Sequence, residues 1–78
     1  MTAELLEYLA RRLVDHPDEV RVEPVEEEDA LVLRLHVAPD DVGKVIGRQG
    51  RIARSLRTVV RASGARSRQR VLLEIVDG

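Results

Sequence analysis

Two glycines three residues apart, Gly47 and Gly50, divide the second half of this chain into two short helical segments. The first segment, from Pro39 to Ile46, carries the apolar residues Val42, Val45 and Ile46, and the second, from residue 50 to residue 63, repeats arginine every three or four positions. Glycine has no Cβ atom, so it adopts positive φ and lets another molecule approach the backbone closely. The sequence therefore predicts a Gly-x-x-Gly joint between two helices, suited to clamping a phosphate backbone.

The chain before the joint predicts one helix followed by a β-hairpin. Residues 2–14 repeat leucine at i, i+4 and i+8, which is the spacing of a helix that buries one face. Those leucines are Leu5, Leu9 and Leu13, with Leu6 and Val14 widening the apolar stripe. Residues 19–25 and 30–37 alternate apolar and polar side chains around a short acidic turn, as an antiparallel hairpin does. Pro24 cannot donate a hydrogen bond to a neighbouring strand, so the first strand is expected either to lie at a sheet edge or to end there.

The chain after the joint predicts a helix and a last strand. The apolar positions of residues 50–63 give the expected core face, which consists of Ile52, Leu56, Val59 and Val60. Gly64 is the expected end of this helix, because glycine commonly follows the last helical residue. A basic loop over residues 65–69 then leads to a strand over residues 70–76.

This order of elements predicts an α+β fold with two layers. Three strands covered on one face by three amphipathic helices, in the order αββααβ, form a two-layer sandwich. The second and third strands are connected through the helix pair, so we expect them to be parallel. With 78 residues and no internal repeat, the sequence predicts a single domain over residues 1–78.

The two halves of the chain carry opposite charge. Residues 1–41 hold four arginines against twelve acidic side chains, a net charge of −8, whereas residues 42–78 have a net charge of +7. Such an asymmetry indicates a surface that binds a polyanion on the basic half. The alternative, that the acidic and basic surfaces merely pair with each other, stays open from charge alone.

Within this order of elements, the joint resembles the signature of KH domains. The resemblance is carried by Val45-Ile46-Gly47-Arg48-Gln49-Gly50 and by the Ile-Ala-x-x-Leu run that begins at Ile52. The helix and strand that precede the β-α-α-β part resemble the type II arrangement, and the length is similar to that of the short bacterial KhpA (YlqC) family. The resemblance covers essentially the whole chain.

The resemblance implies that Gly47, Arg48, Gln49 and Gly50 clamp the backbone of about four nucleotides of single-stranded RNA. Neither variable position is acidic, which favours a loop competent to bind an anion. The predicted RNA-binding residues are Gly43, Lys44, Ile46, Gly47, Arg48, Gln49, Gly50, Arg51 and Arg54. The partners that this implies are single-stranded RNA and, for avidity, a second copy or another KH-containing protein in a homodimer or heterodimer. A small RNA chaperone or post-transcriptional regulator is the expected role.

Two other functions remain open from the sequence. In a helix-turn-helix protein, residues 50–63 would enter the major groove of DNA. In a dimerising interaction module without nucleic-acid binding, an apolar strip of Val32, Leu72 and Val76 on the open sheet face would join two subunits.

An enzyme is not expected, since His16 and His36 are isolated and the serines have no evident base beside them. Cysteine is absent, which excludes a disulfide framework and a thiolate metal site. We expect no cofactor, no metal and no small-molecule substrate. No apolar run approaches the roughly 18 residues of a membrane span, so we expect no membrane partner and a cytoplasmic location.

Overall fold

The computed structural model describes residues 2–66 and 68–76, and confirms the predicted order αββααβ. Position 67, inside the predicted basic loop, lies outside the described residues. The elements are α1 (Thr2–Leu13), β1 (Arg21–Glu26), β2 (Leu31–His36), α2 (Val42–Ile46), α3 (Arg51–Ala65) and β3 (Val71–Ile75). Short 3-10 turns at Pro17–Glu19, Pro39–Asp41 and Arg48–Gly50 precede β1, α2 and α3.

The three strands form one sheet in the order β1-β2-β3. β1 and β2 pair antiparallel, with Val22 opposite Leu35 and Pro24 opposite Leu33. β2 and β3 pair parallel, with Leu33 opposite Leu73. The edge position of Pro24 and the parallel second pair were both predicted, since a strand that returns through two helices runs in the same direction as the first.

The helices cover one face of the sheet and enclose the core. The fully or nearly buried side chains of the core cluster are Leu6, Ala10, Val20, Leu33, Leu35, Val45, Leu56, Val60, Val71 and Leu73. The other sheet face is open and polar at its centre, where Arg34 lies between Glu23 at 3.4 Å and Glu74 at 3.2 Å. The Nε2–H of His36 donates to the same Glu23 carboxylate at 3.1 Å, so this histidine belongs to a surface ion-pair network.

The buried face of α1 is rotated relative to the predicted leucine series. Leu6 and Ala10 face the sheet and are buried, whereas Leu5 is 40% exposed and Leu13 is 37% exposed. The apolar stripe is wide enough to allow either orientation, and packing against the sheet selects the side that carries the small Ala10. The Thr2 and Ser63 hydroxyls hydrogen-bond at 2.7 Å and join α1 to α3.

The prediction for α3 was also wrong at two positions. Val59 is 37% exposed, and the small residues Ala53 and Gly64 take its place in the buried face. Gly64 does not end the helix, which continues to Ala65. A Cβ atom at Gly64 would lie 2.4 Å from Cγ2 of Val71 and 2.7 Å from the carbonyl oxygen of Gln69. The glycine therefore allows the returning chain to pass close to the helix.

No helix among the described residues combines the length and the apolar character needed to span a lipid bilayer.

Candidate nucleic-acid interface

The joint between α2 and α3 has a backbone that demands glycine at its first position. Gly47 has φ 77° and ψ 172°, a combination that is essentially restricted to glycine. Gln49 (φ 58°, ψ 24°) and Gly50 (φ 74°, ψ 16°) follow in the left-handed helical region. These three positive φ values turn the chain sharply, so that α3 starts immediately after α2 ends.

Ile52 supports this turn from below. The Cα atom of Gly47 faces the Ile52 side chain, which leaves no room for a Cβ atom. Ile52 is itself partly buried against the core cluster. Ile52, which the sequence places on the core face of α3, therefore also supports the joint from inside.

Two hydrogen bonds set the shape of the loop. The Gly47 N–H donates to the Gly43 carbonyl at 2.9 Å, and the Gly50 N–H donates to the Gly47 carbonyl at 3.1 Å. No side chain caps the N-terminus of α3. Free N–H groups at the start of a helix, reinforced by the helix dipole, favour an anion such as phosphate.

The arginines predicted for the site lie exposed at the start of α3. Arg48, Arg51 and Arg54 are solvent-exposed, and none forms an ion pair with an acidic side chain in residues 2–66 and 68–76. Arg51 donates from Nη2 to Oε1 of Gln49 at 3.5 Å, a long contact within the loop itself. Guanidinium groups in this condition are available to a phosphate.

The same face of α3 continues the basic surface away from the joint. Arg57 and Arg61 are exposed, and helical geometry places them on the side that Arg54 occupies. An apolar groove between α1 and α3, lined by Leu9, Leu13 and Val59 among others, lies beside this side of the helix, and Arg51 stands at its border. The arginines therefore form a stripe, which we call the arginine face: Arg48, Arg51, Arg54, Arg57 and Arg61.

The predicted site residues of α2 have three different environments. Gly43 is exposed, with no atom within 4 Å of a Cβ placed on it, and Ile46 is half-buried. Lys44 is not free. Its Nζ lies 3.1 Å from Oδ2 of Asp15 and 3.8 Å from Oδ1 of Asp41. The hydrogen bond to Asp15 raises the pKa of Lys44 above its ordinary value.

The sequence pattern does not reveal the role of Asp41. The side chain is fully buried and accepts hydrogen bonds from the N–H of Asp15 at 3.2 Å and of His16 at 3.0 Å. The imidazole Nδ1–H of His16 donates to the same carboxylate at 3.0 Å. Burial alone would raise the pKa of Asp41, but the bonds from Asp15 and His16 outweigh it and lower that pKa. In the sequence, His16 stands apart from Asp41 by 25 residues, so no local pattern connects the two side chains.

A protein-family model described as the KH domain of KhpA and KhpB matches residues 3–75 of this chain. The RNA-binding protein KhpA of Clostridium acetobutylicum is 52% identical over 73 residues, covering 94% of this chain and 97% of the relative. The RNA-binding protein KhpA of Treponema pallidum is 53% identical over 77 residues, covering 99% of this chain and 96% of the relative.

A solved structure supports the fold. The crystal structure of Aquifex aeolicus Era superposes with a TM-score of 0.65 at 19% identity. The match covers 95% of this chain and 29% of the Era chain. At this identity the likeness concerns the arrangement of helices and strands.

Proposed function

The chain belongs to the KhpA/KhpB family of KH domains, and on that premise we propose that it binds single-stranded RNA. The sugar–phosphate backbone lies against Gly47–Gly50, and one phosphate accepts from the N–H groups at the start of α3. The names of the relatives refer to RNA binding and to no reaction, in agreement with the expectation that this chain is not an enzyme. The binding unit is a single KH domain over residues 1–78.

One observation carries this proposal: the only side chains at the surface of the loop are a cation and a neutral donor, Arg48 and Gln49. The glycines on either side keep Cβ atoms away from the ligand. Arg51 and Arg54 follow on the first turns of α3, both exposed and without an acidic partner among the described residues. Together these groups complement a strand of phosphates rather than a neutral ligand.

The arginine face extends the path of the RNA along α3. An α-helix advances about 1.5 Å per residue, so Arg51 and Arg61 lie roughly 15 Å apart along the axis of α3. That length corresponds to a few nucleotides of an extended single strand, beyond those that the loop itself holds. Gly43 and Ile46 form the other border of the path, on the exposed side of α2.

Recognition by this surface has little sequence preference. Single-stranded RNA is commonly read by stacking bases on aromatic rings, and this chain has one tyrosine and no phenylalanine or tryptophan. Tyr8 lies on α1, not on the arginine face. Phosphate contacts and an aliphatic border give weak, salt-dependent binding, which suits a cytoplasmic RNA chaperone or post-transcriptional regulator.

A second copy of the chain compensates for a weak single site through avidity. The exposed large apolar side chains, Leu5, Tyr8, Leu13 and Val59, all lie on the outer surface of α1 and α3. α1 is acidic in its first half and basic in its second half, so two antiparallel copies of α1 place unlike charges together, as an isologous dimer requires.

The apolar strip predicted from the sequence is a weaker candidate for this contact. Val32, Leu72 and Val76 are half-buried and lie beside the ion pairs of Arg34. We therefore expect Tyr8→Glu to give a monomer in analytical sedimentation, and Val32→Glu to leave a dimer intact. A dimer that persists in Tyr8→Glu and is lost in Val32→Glu would assign the contact to the sheet face. A monomeric wild type would contradict the proposed dimer.

The RNA clamp is tested by reversing the charge of the loop. Arg48→Asp, and the double variant Arg48→Asp/Gln49→Asp, should keep the fold because both side chains are exposed. We expect both to lose most of their affinity for a short single-stranded RNA at ~50 mM salt, where phosphate contacts dominate. Arg21→Asp is the matched control, since it changes the charge equally at the exposed start of β1.

Equal affinity of Arg48→Asp and Arg21→Asp for the single-stranded RNA would contradict the assignment of the clamp to the Gly47–Gly50 loop. A duplex DNA of the same length serves as the second arm of the titration. Preference for the duplex favours a helix-turn-helix mode, although α2, with five residues, is short for the first helix of that motif. Binding to neither nucleic acid favours the protein-interaction module.

A further inference from the structure

Helix α2, which leads into the RNA loop, is too short to hold its own position. It has five residues, and isolated helices shorter than about 12 residues are marginal in water. Val45 is its fully buried side chain. Contacts outside the helix must therefore fix the orientation of α2 and, with it, the position of Gly47.

Asp41 supplies such contacts at the start of α2. Among the described residues, Asp41 is the charged side chain that is buried. It makes no capping hydrogen bond to its own helix. Its two oxygens instead accept from the Asp15 N–H, the His16 N–H and the His16 imidazole. Twenty-five or more residues separate these partners in sequence, so the carboxylate joins α2 to the connector between α1 and β1.

Lys44 adds a second link between the same two segments. Its Nζ contacts the Asp15 carboxylate at 3.1 Å and lies 3.8 Å from Asp41. The connector therefore holds Asp41, the residue just before α2, and holds the helix again at Lys44, one turn later. We call this set the α2 latch, and it consists of Asp15, His16, Asp41 and Lys44.

We infer that Asp41 is a positioning residue for RNA binding, which acts by fixing α2 and hence the loop at its far end. The inference rests on the proposed function. About six residues, or roughly 9 Å of helix, separate the carboxylate from Gly47, so Asp41 positions the clamp without touching RNA. Lys44 belongs to the latch, and its contribution to RNA binding is carried mainly through Asp15 and Asp41.

The sign of the effect separates this role from simple electrostatics. A carboxylate near a polyanion repels it, so removing its charge should strengthen RNA binding if charge alone matters. The latch predicts the opposite for Asp41, because loss of the hydrogen bonds frees α2 and misplaces the loop. Asp40 provides the comparison, since it is the neighbouring residue, is exposed and forms no latch contact.

The experiment compares Asp41→Asn with Asp40→Asn in RNA titrations below the melting temperature of each variant. The two variants have the same net charge. We expect Asp40→Asn to bind as tightly as wild type or slightly tighter, and Asp41→Asn to bind about threefold to thirtyfold more weakly. Equal affinity of the two variants, with both folded by circular dichroism, would overturn the inference.

The loop itself gives a readout that does not need RNA. Amide exchange of Gly47 and Gly50, whose N–H groups donate at 2.9 and 3.1 Å, should be faster in Asp41→Asn than in Asp40→Asn. Unchanged exchange refutes the latch even if RNA binding is lost. If wild type binds no RNA but exchange rises, the proposed function fails while the latch stands.

A milder variant covers the case in which Asp41→Asn does not fold. His16→Ala removes one of the three hydrogen bonds from a half-exposed side chain and leaves the carboxylate in place. We expect the Gly47 and Gly50 amides to exchange faster in His16→Ala than in wild type, with a smaller loss of RNA affinity. Exchange identical to that of wild type in this folded variant also overturns the inference.

Discussion

Gly47 lies directly over Ile52: a Cβ atom built on Gly47 would be 2.6 Å from Cγ1 and 2.9 Å from Cβ of Ile52. Two independent constraints therefore fall on one residue, its backbone conformation and its contact with α3. The contact involves the branched part of Ile52, which is held in the core and cannot move away like the end of a flexible chain. The Gly47–Gly50 loop is thus fastened to the interior through a glycine.

Gly47→Ala should therefore destabilise the protein more than Gly50→Ala. Gly50 has positive φ but open space around its Cβ position, so its substitution costs roughly 1 kcal/mol of backbone strain. Gly47→Ala adds a clash in a conformation restricted to glycine, and we expect a loss of about 3 kcal/mol. Denaturant unfolding followed by circular dichroism measures both values.

Gly43→Ala is the control for these two variants, since Gly43 lies within α2 and no atom is within 4 Å of its Cβ position. Alanine is the better helix former by about 1 kcal/mol, so this variant should be as stable as wild type or more stable. In the double variant Gly47→Ala/Ile52→Ala, removal of the branched side chain should relieve the clash. The loss of stability should therefore be smaller than the sum of the losses of the two single variants. Equal losses for Gly47→Ala and Gly50→Ala contradict the contact with Ile52.

Gly64→Ala tests packing against helix propensity. Gly64 lies inside α3, where propensity alone predicts a gain of about 1 kcal/mol on substitution by alanine. The added Cβ would meet Val71 and the Gln69 carbonyl at less than 3 Å, and overpacking of this kind costs about 1–3 kcal/mol. We expect a lower melting temperature than wild type, and Ala62→Gly, at an exposed position of the same helix, calibrates the propensity term.

The salt dependence of RNA binding tests the arginine face. A single-stranded ligand releases counterions in proportion to its phosphate contacts, and each contact contributes about 0.7 to the slope of log affinity against log salt. Arg54→Ala should weaken binding and lower the slope by about that amount. Arg21→Ala, on β1, should leave the slope unchanged, and an unchanged slope for Arg54→Ala would place the RNA elsewhere.

The His16–Asp41 pair makes stability depend on pH. The hydrogen bond and the charge of Asp41 raise the pKa of His16 above its ordinary value of 6.5, and the charges of Glu19 and Asp15 act in the same direction. A raised histidine pKa stabilises the fold fully below pH 6.5 and loses this effect as the pH rises through the folded pKa. For Asp41 the lowered pKa stabilises the fold above pH 3.8 and loses the effect as the pH falls through the folded pKa.

Both contributions are therefore complete between pH 3.8 and pH 6.5. Melting temperatures of wild type and His16→Gln, measured from about pH 5 to about pH 9, isolate the histidine. We expect the advantage of wild type to be largest at the acidic end and to shrink as the pH rises. His36 is present in both proteins and does not contribute to the difference between them. A difference in melting temperature that stays constant with pH would contradict a charged His16–Asp41 pair.

The sequence by itself determined the elements and the loop. Alternation over residues 19–25 and 30–37, leucine spacing over residues 2–14 and the two glycines at 47 and 50 are local patterns. They report the period of each element and the backbone freedom at one joint, which depend on neighbouring residues alone. The order of the elements then predicted the parallel pairing of β2 with β3, and the missing N–H of Pro24 predicted the edge position of β1.

Tertiary structure decided which side of each element is buried and which polar groups meet. The wide apolar stripe of α1 fits the sheet through Leu6 and Ala10, and α3 fits it through Ala53 and Gly64 rather than Val59. Asp41 and His16 are 25 residues apart, and no periodicity connects them. Packing distances and buried hydrogen bonds arise between segments that are distant in sequence, so only the folded chain reveals that Gly47 lies over Ile52 and that the buried carboxylate of Asp41 meets His16.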